Sequence, residues 1–174
     1  MKNMIAVLVV SLGVMTPCLS ASDGFSTDKP SPLKPAKPGK DHDRVVHFTG
    51  SVQLSGQFLV GWEIINNKPY YLRAVFFPDK ESTTLLPHAA ETGPVKELLF
   101  PNAQQATSML LESETAQRLF AKELLIARGE ATLTIGDYRT VVECDHRWYM
   151  AELISVSKNS QIVASVRENG RFGC

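Results

Sequence analysis

The sequence predicts an α+β fold, a curled and mostly antiparallel sheet with one helical segment between strands and a C-terminal β-meander. Three observations carry this. Residues 45–65 and 70–77 are β-rich and joined by a turn, residues 102–124 hold apolar side chains at steps of three and four, and residues 131–166 return to apolar–polar alternation. The composition is that of an ordinary globular chain, with 174 residues, 44% hydrophobic and 8% aromatic, and 18 basic against 18 acidic groups. It excludes disorder throughout, collagen and multi-pass membrane architecture.

In residues 45–65, Gly50, Gly56 and Gly61 are spaced like bends in a strongly curved strand pair. Asn66-Asn67-Lys68-Pro69 forms the turn, and the strand that follows is apolar on both faces until Pro78-Asp79 stops it. Residues 80–94 have no sustained period and read as a long loop of the kind that hosts binding surfaces. A short strand over 95–100 comes next. Pro101-Asn102 then opens the helical segment, with Asn102 as N-cap and Gln105 completing a capping box. Ala106, Met109, Leu110, Ser113, Ala116, Phe120 and Leu124 form its core-facing stripe, and Glu114 and Arg118 an exposed i,i+4 pair. Whether this is one helix or two broken near Ser113 stays open. In the last third, Gly136-Asp137, Asp145-His146 and Lys158-Asn159-Ser160 read as three hairpin turns. This order of elements, with the helix between the third and fourth strands, is that of a small oligonucleotide/oligosaccharide-binding (OB) type barrel.

Ahead of this domain, assigned to residues 44–174, lie two segments of different character. Residues 1–20 carry Lys2, an apolar run from Met4 to Val10 and small residues after Pro17, the plan of a cleaved secretory signal peptide. The run is punctuated by Ser11, Gly13, Thr16 and Pro17, so no transmembrane anchor is expected after cleavage. Cys18 raises the question of lipidation, but Thr16 and Pro17 stand where a lipoprotein signal has small residues. Residues 21–43 interleave Pro30, Pro32, Pro35 and Pro38 with four lysines and read as a flexible spacer, roughly 70 Å when extended at ~3.1 Å per residue.

Export places the mature chain in the periplasm or outside the cell, where Cys144 and Cys174 form an even pair and predict one disulfide. Its loop of about 30 residues implies on the order of 3–4 kcal/mol in the chain-entropy model. As a nucleophile, Cys144 with Asp145 and His146 has poor geometry, because neighbouring side chains in extended backbone point apart.

No catalytic or cofactor motif emerges. The chain has no Gly-x-Ser-x-Gly elbow, no His-Glu-x-x-His and no phosphate-cradling glycine loop with its lysine. Asp41-His42-Asp43 with His47 holds metal-ligand chemistry, but it straddles a spacer where nothing fixes geometry, so no metal is expected. Loss of Lys2 with the signal leaves 17 basic and 18 acidic groups, too weak a field to gather nucleic acid.

The expectation is therefore an exported, non-enzymatic module without cofactor, binding a protein or saccharide partner of the cell envelope as an inhibitor or assembly component. Its contact surface is placed on Trp62, Tyr70 and Tyr71 with the loop around His88. Two rivals make different demands. An envelope hydrolase acting on cell-wall or glycan material would use Glu63 or Glu143, and an OB-type nucleic-acid module would show affinity that falls steeply with salt.

Overall fold

The computed structural model describes residues 24–36, 44–144 and 146–165. The signal peptide, Cys18, Asp41-His42-Asp43 and Cys174 lie outside the described residues, and with them the second sulfur of the expected disulfide. In chain order the elements are β1 (Phe25–Ser26), β2 (Lys34–Pro35), β3 (Val45–Thr49), β4 (Val52–Ile65), β5 (Lys68–Pro78), α1 (Lys80–Thr83), β6 (His88–Ala89), β7 (Leu98–Leu99), α2 (Ala103–Leu110), α3 (Ser113–Phe120), β8 (Ile126–Glu143) and β9 (His146–Ser165).

β4 is the central strand. It pairs antiparallel with β5 from Gly56↔Pro78 to Ile65↔Lys68, and with β8 from Val52↔Ile135 to Gly61↔Ile126. β5 continues to β7, and β7 meets β9 in parallel at Leu99↔Met150. Since β9 pairs along the length of β8, the ring β4-β5-β7-β9-β8 closes into a five-stranded barrel, with α2 and α3 between its third and fourth strands. The fold is α+β, mostly strand, and consistent with a small OB-like barrel. Closure needs backbones in close approach. At Gly61 a Cβ would stand 2.6 Å from the carbonyl oxygen of Leu125, which explains a glycine inside a strand.

Alternation sends Phe58 and Val60 of β4 inward to meet Ala74 and Phe76 of β5, Leu98 of β7, Leu133 and Ile135 of β8 and Leu153 of β9, all buried in one cluster. Each large side chain removed from water contributes about 1.5–3 kcal/mol. The helical segment is two helices, and both deliver their buried faces, Ala106 and Leu110 from α2 and Ala116 and Leu119 from α3, to this same core. The break falls at Leu111 and Glu112, which are both extended, and Leu111 is itself buried. Arg118 pairs with Glu123 at 3.6 Å instead of with Glu114.

Three expectations are corrected. The last third is a single long hairpin, not three. Gly136-Asp137 lies inside β8, where the register slips by one residue between Gly136↔Glu152 and Arg139↔Met150 and Asp137 takes φ +43°. Lys158, Asn159 and Ser160 lie inside β9, opposite Thr132, Ala131 and Glu130. Residues that favour a turn also favour a bulge, and ladders on both sides of β8 hold it continuous here. Between β8 and β9 Cys144 takes φ +48°.

The second correction concerns the spacer, which is not free over residues 24–36. β1 pairs with β6 and β2 with β3, Leu33 is 3% exposed, and the Phe25 ring meets Phe48 edge-on at 5.5 Å. Two apolar side chains in a polar segment are enough to strap it down. Third, the 80–94 loop contains α1, capped by the Asp79 carboxylate accepting from the Ser82 N–H, and β6, which pairs with the strap.

Candidate functional site

The β4–β5 hairpin extends past the barrel at its turn end. Asn66 and Asn67 both take positive φ, 52° and 58°, the geometry that a tight two-residue hairpin loop requires. Just beyond the turn, Ile64 pairs with Pro69 while Trp62 pairs with Leu72, so Tyr70 and Tyr71 together face Glu63 alone. This is a β-bulge in β5. In a regular strand, consecutive side chains point to opposite faces. The extra residue breaks that alternation, and the two rings meet edge to face at 5.7 Å. Tyr70 is 70% exposed and Tyr71 42%, with Ile65 exposed beside them.

Below this tip, between the hairpin and the helices, lies a cleft of about 580 Å³. Trp62, Leu72 and Phe120 wall it, all partly buried against the core. The Trp62 indole is held in place by its N–H donating to the Leu119 carbonyl at 2.8 Å, and the Lys122 ammonium lies 4.7 Å from its ring centroid. Lys122 itself sits at φ +62° just after α3. The rim is made of amides. The Asn102 side chain caps no N–H of α2; instead its Nδ2 donates to the Gln105 Oε1 at 3.2 Å. The Asn102 Oδ1 is buried without a partner among the described residues. The capping residues read from the sequence are present, but their side chains bond to each other and line a cavity, together with Gln104.

The structure thus sets Tyr70 and Tyr71 together at the hairpin tip, places Trp62 in the wall of the cleft, which neither tyrosine lines, and sets His88 apart. His88 is 6% exposed, its Nδ1 is 3.3 Å from the Leu86 carbonyl oxygen, and its backbone pairs with Ser26 of the strap. This loop residue therefore stands in a buried strand beside the strap, away from the hairpin tip. Leu72, Asn102, Gln104, Gln105, Phe120 and Lys122 join the site without having been singled out as site residues. The signal that could have found them is Asn102 and Gln105, which the capping-box spacing places side by side on one face.

Glu63 and Glu143 do not converge. Glu63 lies beyond the Gly61↔Ile126 pair at the start of β8, and Glu143 is the last residue of that strand. Glu63 instead pairs at 3.3 Å with Arg73, which also reaches Glu97 at 3.6 Å. His47 has Nδ1 3.5 Å from the Asp137 carboxylate, and no group of three metal-ligating side chains occurs among the described residues. Cys144 is exposed at the β8–β9 turn.

A second, smaller cleft of about 310 Å³ is lined by other residues, among them Lys96, Glu97, His146 and Trp148, with the His146 and Trp148 rings 4.6 Å apart. At its edge Arg147 bonds Glu91 at 2.9 Å. A hydrogen bond from its own backbone, and then Arg147, hold the Glu91 carboxyl below its ordinary range.

Compared with known proteins, the chain matches no protein-family model, no curated protein and no solved structure.

Proposed function

We propose that this chain is an exported, non-enzymatic binding module, stapled by a Cys144–Cys174 disulfide, that holds a protein or saccharide partner of the cell envelope. The observation that carries the reading is the pair of tyrosines at the hairpin tip. A bulge spends one residue of regular pairing to set two large rings side by side in solvent, next to a fixed tryptophan. Tyr and Trp bring large contact area at little conformational cost, which makes them preferred anchors in interfaces. The contact surface is Trp62, Tyr70 and Tyr71, without His88. A hydrolase built on Glu63 and Glu143 has no support in their placement.

Crosslinking capture from the native envelope with the mature chain tests this. Recovery of a defined partner that is lost in the Tyr70→Ala/Tyr71→Ala double variant supports the proposal, and unchanged recovery overturns it. Mass spectrometry of the native product addresses location. A start near residue 21 and thiols blocked to alkylation are expected, whereas a retained Met1 with both thiols reactive would overturn export and disulfide together. Binding that weakens steeply between low and moderate salt would instead favour nucleic acid.

A further inference from the structure

We propose that the cleft beneath the hairpin tip binds a neutral saccharide segment. This rests on the binding-module reading and names a ligand class for part of the same site. Apart from the apolar wall of Trp62, Leu72 and Phe120, the polar lining residues are the carboxamides Asn102, Gln104 and Gln105, and the charge beside the cleft is that of the exposed Lys122, whose ammonium lies 4.7 Å from the Trp62 ring centroid. A cationic ligand would meet that ammonium, and an anionic one would leave water for this single exposed charge. A purely apolar ligand would strand the amides. What suits both is a ring with C–H faces for the indole and hydroxyls for the amides, because each hydroxyl donates and accepts at once, as does each carboxamide.

Two local features point the same way. Asn102 stands at the N-cap of α2 yet gives up the stabilisation of capping and turns its side chain to Gln105. The result is an ordered amide pair with one acceptor, the Asn102 Oδ1, lacking a donor. A buried acceptor of this kind is costly unless something supplies the hydrogen. The Trp62 ring is prevented from turning by its bond to Leu119, so the stacking surface is set before a ligand arrives. A volume of about 580 Å³ lies within the range of small-molecule sites.

The test is nuclear magnetic resonance titration of the nitrogen-labelled mature chain with cellotetraose, chitotetraose and maltotetraose, each to about 10 mM, a ceiling that detects binding as weak as millimolar. At least one should give saturable shifts of the Trp62 indole N–H and the Asn102 and Gln105 side-chain amides, with the Trp148 indole unmoved. Asn102→Ala and Gln105→Ala should each weaken that binding roughly tenfold, the loss of one good hydrogen bond, while the rest of the spectrum shows the fold intact. No shift with any of the three, shifts centred on Trp148, or affinity unchanged in both variants would overturn the proposal. So would an uncharged peptide that moves the same resonances more tightly than every sugar. The outcome separates from that of the wider reading. Envelope capture that depends on Tyr70 and Tyr71, without any sugar shift, leaves the binding module standing and removes the saccharide.

Discussion

Phe58 and Phe76 face each other across β4 and β5 with almost no contact with solvent, whereas farther along the same two strands Tyr70 and Tyr71 stand in water. One hairpin thus carries the middle of the core at one end and the most exposed aromatic pair at the other. Composition does not separate the two ends, since both are rich in large apolar and aromatic residues. What differs is register. At the barrel end the pairing is regular and neighbouring strands close over the inner face. At the turn end one extra residue in β5 breaks the alternation, and the tip passes beyond the strands that would cover it. A large ring is buried or displayed according to whether a further strand or helix lies over it, and hydrophobicity alone does not decide the matter.

Four measurements sharpen or break this contrast. The largest effect is expected at the sealed end. Phe58→Ala should cost about 3–5 kcal/mol in urea denaturation, and a loss under about 1 kcal/mol would mean the barrel interior is not the stabilising core. Next comes the strap. Leu33→Ala removes a buried side chain from a segment of spacer-like composition and should cost about 2–3 kcal/mol. No change would return residues 24–36 to the role of a spacer.

Third is Tyr138, whose hydroxyl donates to the Pro87 carbonyl at 2.5 Å and whose phenol burial, with a smaller contribution from Tyr149, holds well above the ordinary pKa of 10.0. Below about pH 10 the phenol is protonated in both folded and unfolded chains and contributes no pH dependence. Above that value the unfolded chain releases the proton while the native one retains it, so stability falls by up to ~1.4 kcal/mol per pH unit. Tyr138→Phe should cost about 1 kcal/mol at neutral pH and flatten the alkaline slope; a slope unchanged in the variant would place its origin elsewhere. Smallest is the displayed end. Tyr70→Ala and Tyr71→Ala should each change stability by about 0.5 kcal/mol or less while abolishing partner capture, and a large loss of stability would make these rings structural.

Much of the barrel is legible from the sequence, because its information is local. The Asn66-Asn67 turn, the strand that ends at Pro78, the short strand before Pro101 and the helical stripe each follow from neighbouring residues. What is not legible depends on distant partners. Gly136-Asp137 has turn chemistry, and only the ladders to β3 and β9 decide that it makes a bulge. The short strand at His88 needs Phe25 and Ser26, more than sixty positions earlier, to pair with it. Of the candidate site, the aromatics were readable as residue types and the amide rim was not. A capping box and a ligand rim use the same two residues, and which role they take is settled by where Trp62 packs.

The barrel is closed by very little. Its third wall, β7, is two residues long, meets β5 through two couples and touches β9 through the single couple Leu99↔Met150, while β4–β5, β4–β8 and β8–β9 are stitched along many positions. Such a cylinder has one button. Amide exchange should find residues 98–100 parting first among the barrel's walls. Because Phe100 leads directly through Pro101 to Asn102, loosening that button shifts one lip of the tryptophan cleft, so anything seated there fastens the whole cylinder shut.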